Sequence, residues 1–489
     1  MVRILLIEPP TPNDPNKIMR IIGSIGTLKA KVLYPPTDHA ILGGLLRKNG
    51  IDFKILDALN TDMSWDDVKK VIKSENPEAV VYTNTVQTLN NDNITATIAK
   101  EINPNIKTIT INFLMESCKY NVLKKFKDVD FVAIRDYEFP VLNLIKNNYE
   151  GKEVKGIYYR EDGEVVKNSG GEYCMNLDEL GIPAHDMLPL NIYQDFIMKK
   201  KPMTITLCTR GCINKNNCNH CCAKYLNPLR VRSIESVIEE MKFMRNIGIK
   251  EIAFWDSEIP FELSGTKQEW IWKFIERIKE EKLNFSMYCN GRSDCVNYEI
   301  LKAMKEVGFH TLKLGADSCS QTILNNMNKN ETVEQIEQAV KDIRKVKMKL
   351  LIYCTMGHKG ETKETMQNTI NWVTNKLQPD WTTFSIAVPL YGTVFYEYLK
   401  NNNFLKEEKE GDPNAPPTFS YPYLSSEDMY RIAMEGYRKF YLRKSYLIKM
   451  IPAIMRHPIF ELNNGIYFIK RYVLEPRSNQ NKELQRENK

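Results

Sequence analysis

Residues 208–222 read CTRGCINKNNCNHCC, with five cysteines and one histidine in fifteen positions. Thiols this dense serve a disulfide framework, a zinc knuckle or an iron–sulfur cluster. The surrounding chain decides among them. The opening MVRILLIEPPTPNDP is broken by proline too soon for a secretory leader and reads as a first β-strand. Eleven cysteines, all between Cys118 and Cys354, without an export signal point to a reducing compartment, the cytoplasm. A chain of 489 residues has core enough without disulfide staples, so metal or redox use is the better default.

Outward from the cysteines, the chain repeats one unit. From residue 201, strand-like runs MTITLC, EIAFWD, FSMYCN, HTLKLGA, LLIYCTM and TTFSIA alternate with helical stretches such as IESVIEEMKFMRNI and VEQIEQAVKDIRKV. Thr332 and Gln335 predict a capping box at the start of the second of these helices. Six units are too few for a closed eight-stranded barrel and suit an open, partial (β/α)6 TIM-like barrel over residues 201–400. The site of such a barrel lies at the carboxyl ends of its strands. The cysteine stretch follows the first strand and so sits at that mouth.

Residues 1–150 alternate VRILLIE, DFKILDA, EAVVYTN, IKTITIN and DFVAI with amphipathic segments, which predicts an α/β domain with a doubly wound, Rossmann-like parallel sheet. Residues 151–200 read as a connector with a small hairpin, GIYYREDGEVVKN. Residues 401–489 change to aromatic-rich helices and a polar tail that reads as disordered. The basic and aromatic stretch YRKFYLRKSYLIKMIPAIMRHPIFELNNGIYFIKRYVLE predicts a helical cap over the barrel mouth, with a peripheral membrane contact as the sharper alternative. A net charge of +7 makes no case for nucleic acid, and no apolar run reaches the roughly 18 residues of a membrane span.

Within the loop, Cys212, Cys218 and Cys221 form the natural ligand set, spaced C-x5-C-x2-C. A structural zinc ion wants a fourth ligand, available from Cys208, Cys222 or His220. Three thiolates on a [4Fe–4S] cluster instead leave one iron open to a small molecule.

TLCTRGC with CNHC, followed by RSIESVIEEMKFMRNIGIKEIAFWDSEIPF, resembles the core of a radical S-adenosylmethionine (SAM) enzyme. GADSCSQTILNNMNKNETVEQIEQAVKDIRK, GHKGETKETMQNTINW and FSIAVPLYGTVFYEYL share the likeness. The order of sheet, connector and barrel resembles the branch with an N-terminal cobalamin (B12)-binding domain, over roughly residues 1–400. The resemblance implies a [4Fe–4S] cluster on Cys212, Cys218 and Cys221 whose open iron takes S-adenosyl-L-methionine. Reductive cleavage of that sulfonium would give a 5′-deoxyadenosyl radical that abstracts substrate hydrogen. It further implies a SAM pocket drawn from His220, Asp256, Glu258, Asn290, Arg292, Asp317 and Ser318. For each of these, a loop-capping or packing role is the plain alternative. Cys289, Cys295, Cys319 and Cys354 read as small core residues, against a second cluster or a covalent role.

The chain departs from the family in two places. Its first cysteine gap is two residues longer than the usual C-x3-C-x2-C, a polar insertion that a loop accommodates cheaply. In the first domain the glycines that admit a corrin are replaced by Ile111, Asn112, Arg135 and Tyr137, and no Asp-x-His-x-x-Gly is present. Thr83, Thr85 and Asn112 are the remaining cobalamin-contact candidates. The resulting expectation is a cobalamin-dependent methyltransferase acting on an unactivated carbon of a small molecule or peptide, served by an electron donor such as flavodoxin or ferredoxin. Its rivals are a radical SAM enzyme with a vestigial first domain, doing cyclisation, rearrangement or dehydrogenation, and a zinc-stabilised binding protein without activity.

Overall fold

The computed structural model describes residues 3–11, 18–20, 32–85, 87–111, 122–168, 173–214, 217–259, 269–407, 415–456 and 465–466. In the first sheet β1 (Ile4–Glu8), β2 (Phe53–Asp57), β3 (Ala79–Thr83), β4 (Lys107–Ile111) and β5 (Phe131–Ala133) run parallel in the order β2-β1-β3-β4-β5. The hairpin read from the connector, β6 (Ile157–Glu161) and β7 (Glu164–Lys167), adds antiparallel strands to the β5 edge and makes the sheet seven-stranded. Every residue of β1 and β3 is buried, as expected of a parallel sheet covered on both faces. The two faces feed separate cores: Ile4 and Leu6 point into one, Leu5 and Ile7 into the other.

The second sheet starts with β8 (Met203–Thr206). A two-residue antiparallel pair, β9 (Thr209–Arg210) and β10 (Arg230–Val231), brackets the cysteine loop. Then β11 (Glu251–Phe254), β12 (Ser286–Gly291), β13 (Phe309–Gly315), β14 (Lys349–Met356) and β15 (Trp381–Ile386) follow, all parallel to β8 and in chain order across the sheet. This is the open six-stranded TIM-like sheet read from the sequence. Alternation along each strand divides the barrel: Ile252 and Phe254 pack outward against the helices, while Ala253 joins Met203, Ile205 and Tyr288 on the inside. The inner group is continuous with Ile4 and Leu6 of the first sheet, so one apolar core joins the two domains. The capping box at Thr332 and Gln335 is formed, with each residue bonding the other's backbone N–H.

The C-terminal helix Ser426–Tyr441 lies along β15, where the Tyr441 hydroxyl donates to the Thr382 carbonyl at 2.8 Å and Gly436 packs on Phe384 and Ile370. It therefore covers the open edge of the sheet rather than the mouth. An unclosed barrel leaves that edge strand bare, and an amphipathic helix is the element that can bury it. The next helix, Lys444–Arg456, exposes Leu447, Ile448 and Ile451. No helix among the described residues is long and apolar enough to cross a membrane.

A buried ionic knot ties the connector to the barrel. Glu240, on the helix Ile234–Asn246, pairs with Arg232 and accepts from the Thr206 hydroxyl at 2.6 Å. His185 of the connector reaches the same carboxylate at 2.8 Å. Burial alone would raise Glu240, but Arg232 and His185 override it and hold the carboxyl at about 2. A depressed folded-state value contributes stability that is complete above the unfolded value and lost as pH falls from about 4.5 to 2. We expect Glu240→Gln to lower the unfolding free energy by ~3 kcal/mol at pH 7 and to flatten the acid limb, as measured by urea titration at pH 7 and pH 3. An unaltered acid limb would contradict this assignment.

Candidate active site

The first part of the cysteine loop is held by two carboxylates from beyond β11. Asp256 accepts from the backbone N–H of Cys208 at 2.7 Å and of Thr209 at 2.5 Å, and from the Thr209 hydroxyl at 2.7 Å. Burial pushes its pKa up to about 7 against those bonds. Glu258 accepts from the Ile213 N–H at 2.7 Å and lies 3.3 Å from the Cys212 Sγ. Asn227 completes the grip by accepting from the Cys212 N–H at 2.9 Å. Gly211 turns the chain into the loop with a φ of +96°, and a Cβ there would come within 2.9 Å of the Leu229 backbone. Only glycine meets both demands.

Cys212, Cys218 and Cys221 line one cavity of about 380 Å³ at the carboxyl ends of the strands. Cys208 and Cys222 are buried away from it in the two cores. Burial raises the Cys218 thiol to about 11 and lifts Cys212 further, so the thiols stay protonated until a cation displaces the protons. Among the described residues no three His, Cys, Asp or Glu side chains converge tightly enough to hold a single metal ion.

Asn214 and Asn217, which flank the lengthened part of the first cysteine gap, are anchored on a neighbouring turn. Asn214 donates to the Asn328 carbonyl at 2.9 Å and lies 3.6 Å from the Cys218 Sγ, and Asn328 donates back to the Asn217 carbonyl at 2.9 Å. The turn that receives them carries Lys329, which the sequence reading missed. Its ammonium is buried between Asp317 at 2.7 Å and Glu331 at 3.1 Å and borders the cavity beside Cys218. Burial alone would raise Asp317, but Lys329 holds its carboxyl below the usual range. Asp317 itself sits at a φ of +57° and accepts from the Thr355 N–H at 3.2 Å.

The other pocket candidates separate into two groups. Arg292 lines the cavity while paired bidentately with Asp294 at 3.0 and 2.8 Å, and Asn290 lines it while donating to the Asp256 carbonyl at 2.7 Å. Ser318 is buried behind β13, 3.4 Å from the Thr369 hydroxyl. His220 packs at 4.6 Å against the tilted ring of His358, outside the lining, and burial lowers its pKa to about 4. Cys289, Cys295 and Cys354 are buried in the outer core, with Cys319 packed against it.

The first domain reaches this cavity. Met19, from the segment after β1, lines it together with the cysteines. Arg210, two residues before Cys212, is buried between Asp136 at 2.8 Å and Glu138, and Arg230 shares Asp136. The cysteine loop is thus bolted to the first domain. The Thr83 hydroxyl is occupied within its own domain, by Glu8 at 3.0 Å and His39 at 2.9 Å, and Thr85 by Thr88 at 2.6 Å. Both hydroxyls are thus engaged within the first domain, and Asn112 lies outside the described residues.

The Radical SAM superfamily model matches residues 206–373, which run from the last residue of β8 through the cysteine loop and on past β14. An uncharacterized methyltransferase of Pyrococcus horikoshii is 31% identical over 92% of this chain and 95% of its own length. This chain belongs to the radical SAM superfamily. Membership implies the [4Fe–4S] cluster and S-adenosylmethionine, and it removes the zinc-stabilised binding protein from consideration. The radical SAM chain is also 25% identical to the anaerobic magnesium-protoporphyrin IX monomethyl ester cyclase of Rubrivivax gelatinosus, over 85% of this chain and 75% of that one. Among solved structures, the radical SAM methyltransferase TsrM of Kitasatospora setae, with cobalamin and [4Fe–4S] cluster bound, aligns at a TM-score of 0.62. That alignment has 15% identity and covers 82% of this chain and 75% of the other. The cobalamin-dependent enzyme OxsB aligns at 0.61 with 17% identity, covering 82% and 56%. At these identities the likeness establishes the fold: a Rossmann-like sheet followed by a partial barrel.

Proposed function

We propose that this radical SAM enzyme is a cobalamin-dependent methyltransferase acting on an unactivated carbon. The observation that carries the reading is the shared cavity: Cys212, Cys218 and Cys221 border it from the barrel, and Met19 borders it from the first domain. A substrate in that space meets both halves of the molecule. The similarity to a Pyrococcus methyltransferase and to the methyltransferase TsrM supports the same reading.

The cluster and SAM, when bound, supply the hydrogen-abstracting radical, and the corrinoid supplies the methyl group. The chain's own residues position and exclude. Asp256 and Glu258 fix the loop that carries the thiols, Arg210 and Arg230 hold the loop against the first domain, and Trp255 and Tyr353 wall the cavity with aromatic surface. Lys329, Arg292 and Asn290 are the polar groups beside the thiols suited to the charged ends of SAM.

The test is corrinoid retention. Anaerobically reconstituted protein incubated with hydroxocobalamin is expected to keep about one corrinoid per chain through desalting, read from its visible spectrum. Complete loss of the corrinoid would favour the second reading, a vestigial first domain with cyclisation, rearrangement or dehydrogenation chemistry. The internal engagement of Thr83 and Thr85 speaks for that alternative.

A further inference from the structure

Among the described residues, Lys313 is the one lysine on an inward-facing position of the barrel strands. On β13 its neighbours Leu312 and Leu314 point into the outer core, which turns Lys313 inward. The side chain is 1% exposed, and its ammonium has no hydrogen-bond partner. It rests 3.8 Å from the Trp255 ring centroid and 5.0 Å from that of Tyr288. The nearest carboxylate influence comes from Asp195, whose oxygens already accept from the Tyr34 hydroxyl at 2.7 Å, the Tyr288 hydroxyl at 2.9 Å and the Ile197 N–H at 3.2 Å. Burial accordingly lowers the Lys313 pKa to about 8.

An ammonium in that setting is costly, because cation–π contact replaces only part of its lost hydration. Methionine or leucine would fill the same space at no such cost. The residue lies on the wall of the cavity that the three cysteines border, next to Trp255 and Tyr353. A fold carries an unpaired buried charge at such a place when a ligand completes the pair.

We propose that Lys313 anchors a carboxylate of the substrate, with the Trp255 and Tyr353 rings flanking the organic body of that molecule. One ammonium balances one charge, so a monoanion fits, whereas a phosphate dianion would leave a surplus charge buried among aromatic rings. Lys313 is a substrate-positioning group here and takes no part in bond breaking. The inference rests on the reading that this cavity is where the substrate reacts.

The probes are benzoate and its neutral analogue benzyl alcohol, applied to cluster-reconstituted wild type, K313R and K313M, with the unfolding midpoint and equilibrium binding as readouts. Benzoate is expected to raise the midpoint of wild type and K313R. Its dissociation constant should weaken about tenfold or more in K313M. Benzyl alcohol should not distinguish the variants. Without benzoate, K313M should unfold at or above the wild-type temperature, an outcome that a merely structural lysine would not give. K313Q carries the same comparison if K313M does not fold. Equal benzoate binding by wild type and K313M, or none by wild type, overturns the proposal. So does loss of SAM binding in K313M, which would assign the lysine to the cofactor's carboxylate. Uncoupled 5′-deoxyadenosine formation by wild type separates the two levels: its absence sinks the radical reading of the cavity, while its presence without benzoate binding sinks only the role of Lys313.

Discussion

Cys218→Ala protein, reconstituted anaerobically, is expected to lose its cluster and its 5′-deoxyadenosine formation while keeping its fold. Iron should fall from ~4 per chain to background, because two remaining thiolates cannot hold a cluster against competing thiols in solution. Product formation should drop by roughly 10³-fold or more, since the cofactor carries the difficult step and the side chains only position it. The fold should survive because Cys218 is half-buried at a cavity wall and belongs to neither large core. Cys319→Ala is the matched control: that thiol packs against the outer core near Thr369, away from the cavity, and its loss should leave iron unchanged. Full iron content in Cys218→Ala would remove that cysteine from the ligand set.

The second large effect concerns the bolt between the domains. Arg210→Met leaves Glu138 and part of Asp136 buried without their cation, and breaking a buried pair from one side costs about 3–5 kcal/mol. Arg230 still serves Asp136, so Glu138 is the group left exposed to the full penalty. The double variant Arg210→Met with Glu138→Leu should recover much of the loss, because an apolar pair of similar volume tolerates the same site. Denaturant titration of the two variants measures both terms. Arg210 also precedes Cys212 by two residues, so the single variant should load iron more slowly than wild type even where it remains folded. Wild-type stability in the single variant would show that the bolt contributes nothing.

Much of the architecture was legible before any coordinates. Period-two and period-3.6 patterns marked the five parallel strands of the first sheet and all six of the second, because each pattern is set by neighbours a few residues apart. Thr332 and Gln335 marked a helix start for the same reason. The stretch from Tyr437 reads as a cap over the mouth, yet its described part, to Arg456, meets Thr382 and Asp380 at the start of β15, since an amphipathic face says that it must be buried but not against what. Thr83 and Thr85 are legible as hydroxyls at a strand end, but the partners they take, Glu8, His39 and Thr88, are set by the fold.

By itself, the chain's order of residues determined the strand and helix units, the cysteine spacing and the class of chemistry such thiols serve. Only the folded molecule decided that Arg210 meets Asp136, 74 positions away, and that the inner faces of two sheets form one core. It alone set Lys313 beneath Trp255 and Lys329 between two carboxylates. Such partners are chosen by packing between distant segments, where burial turns an ordinary charged residue into a costly one. A local pattern carries no record of that choice.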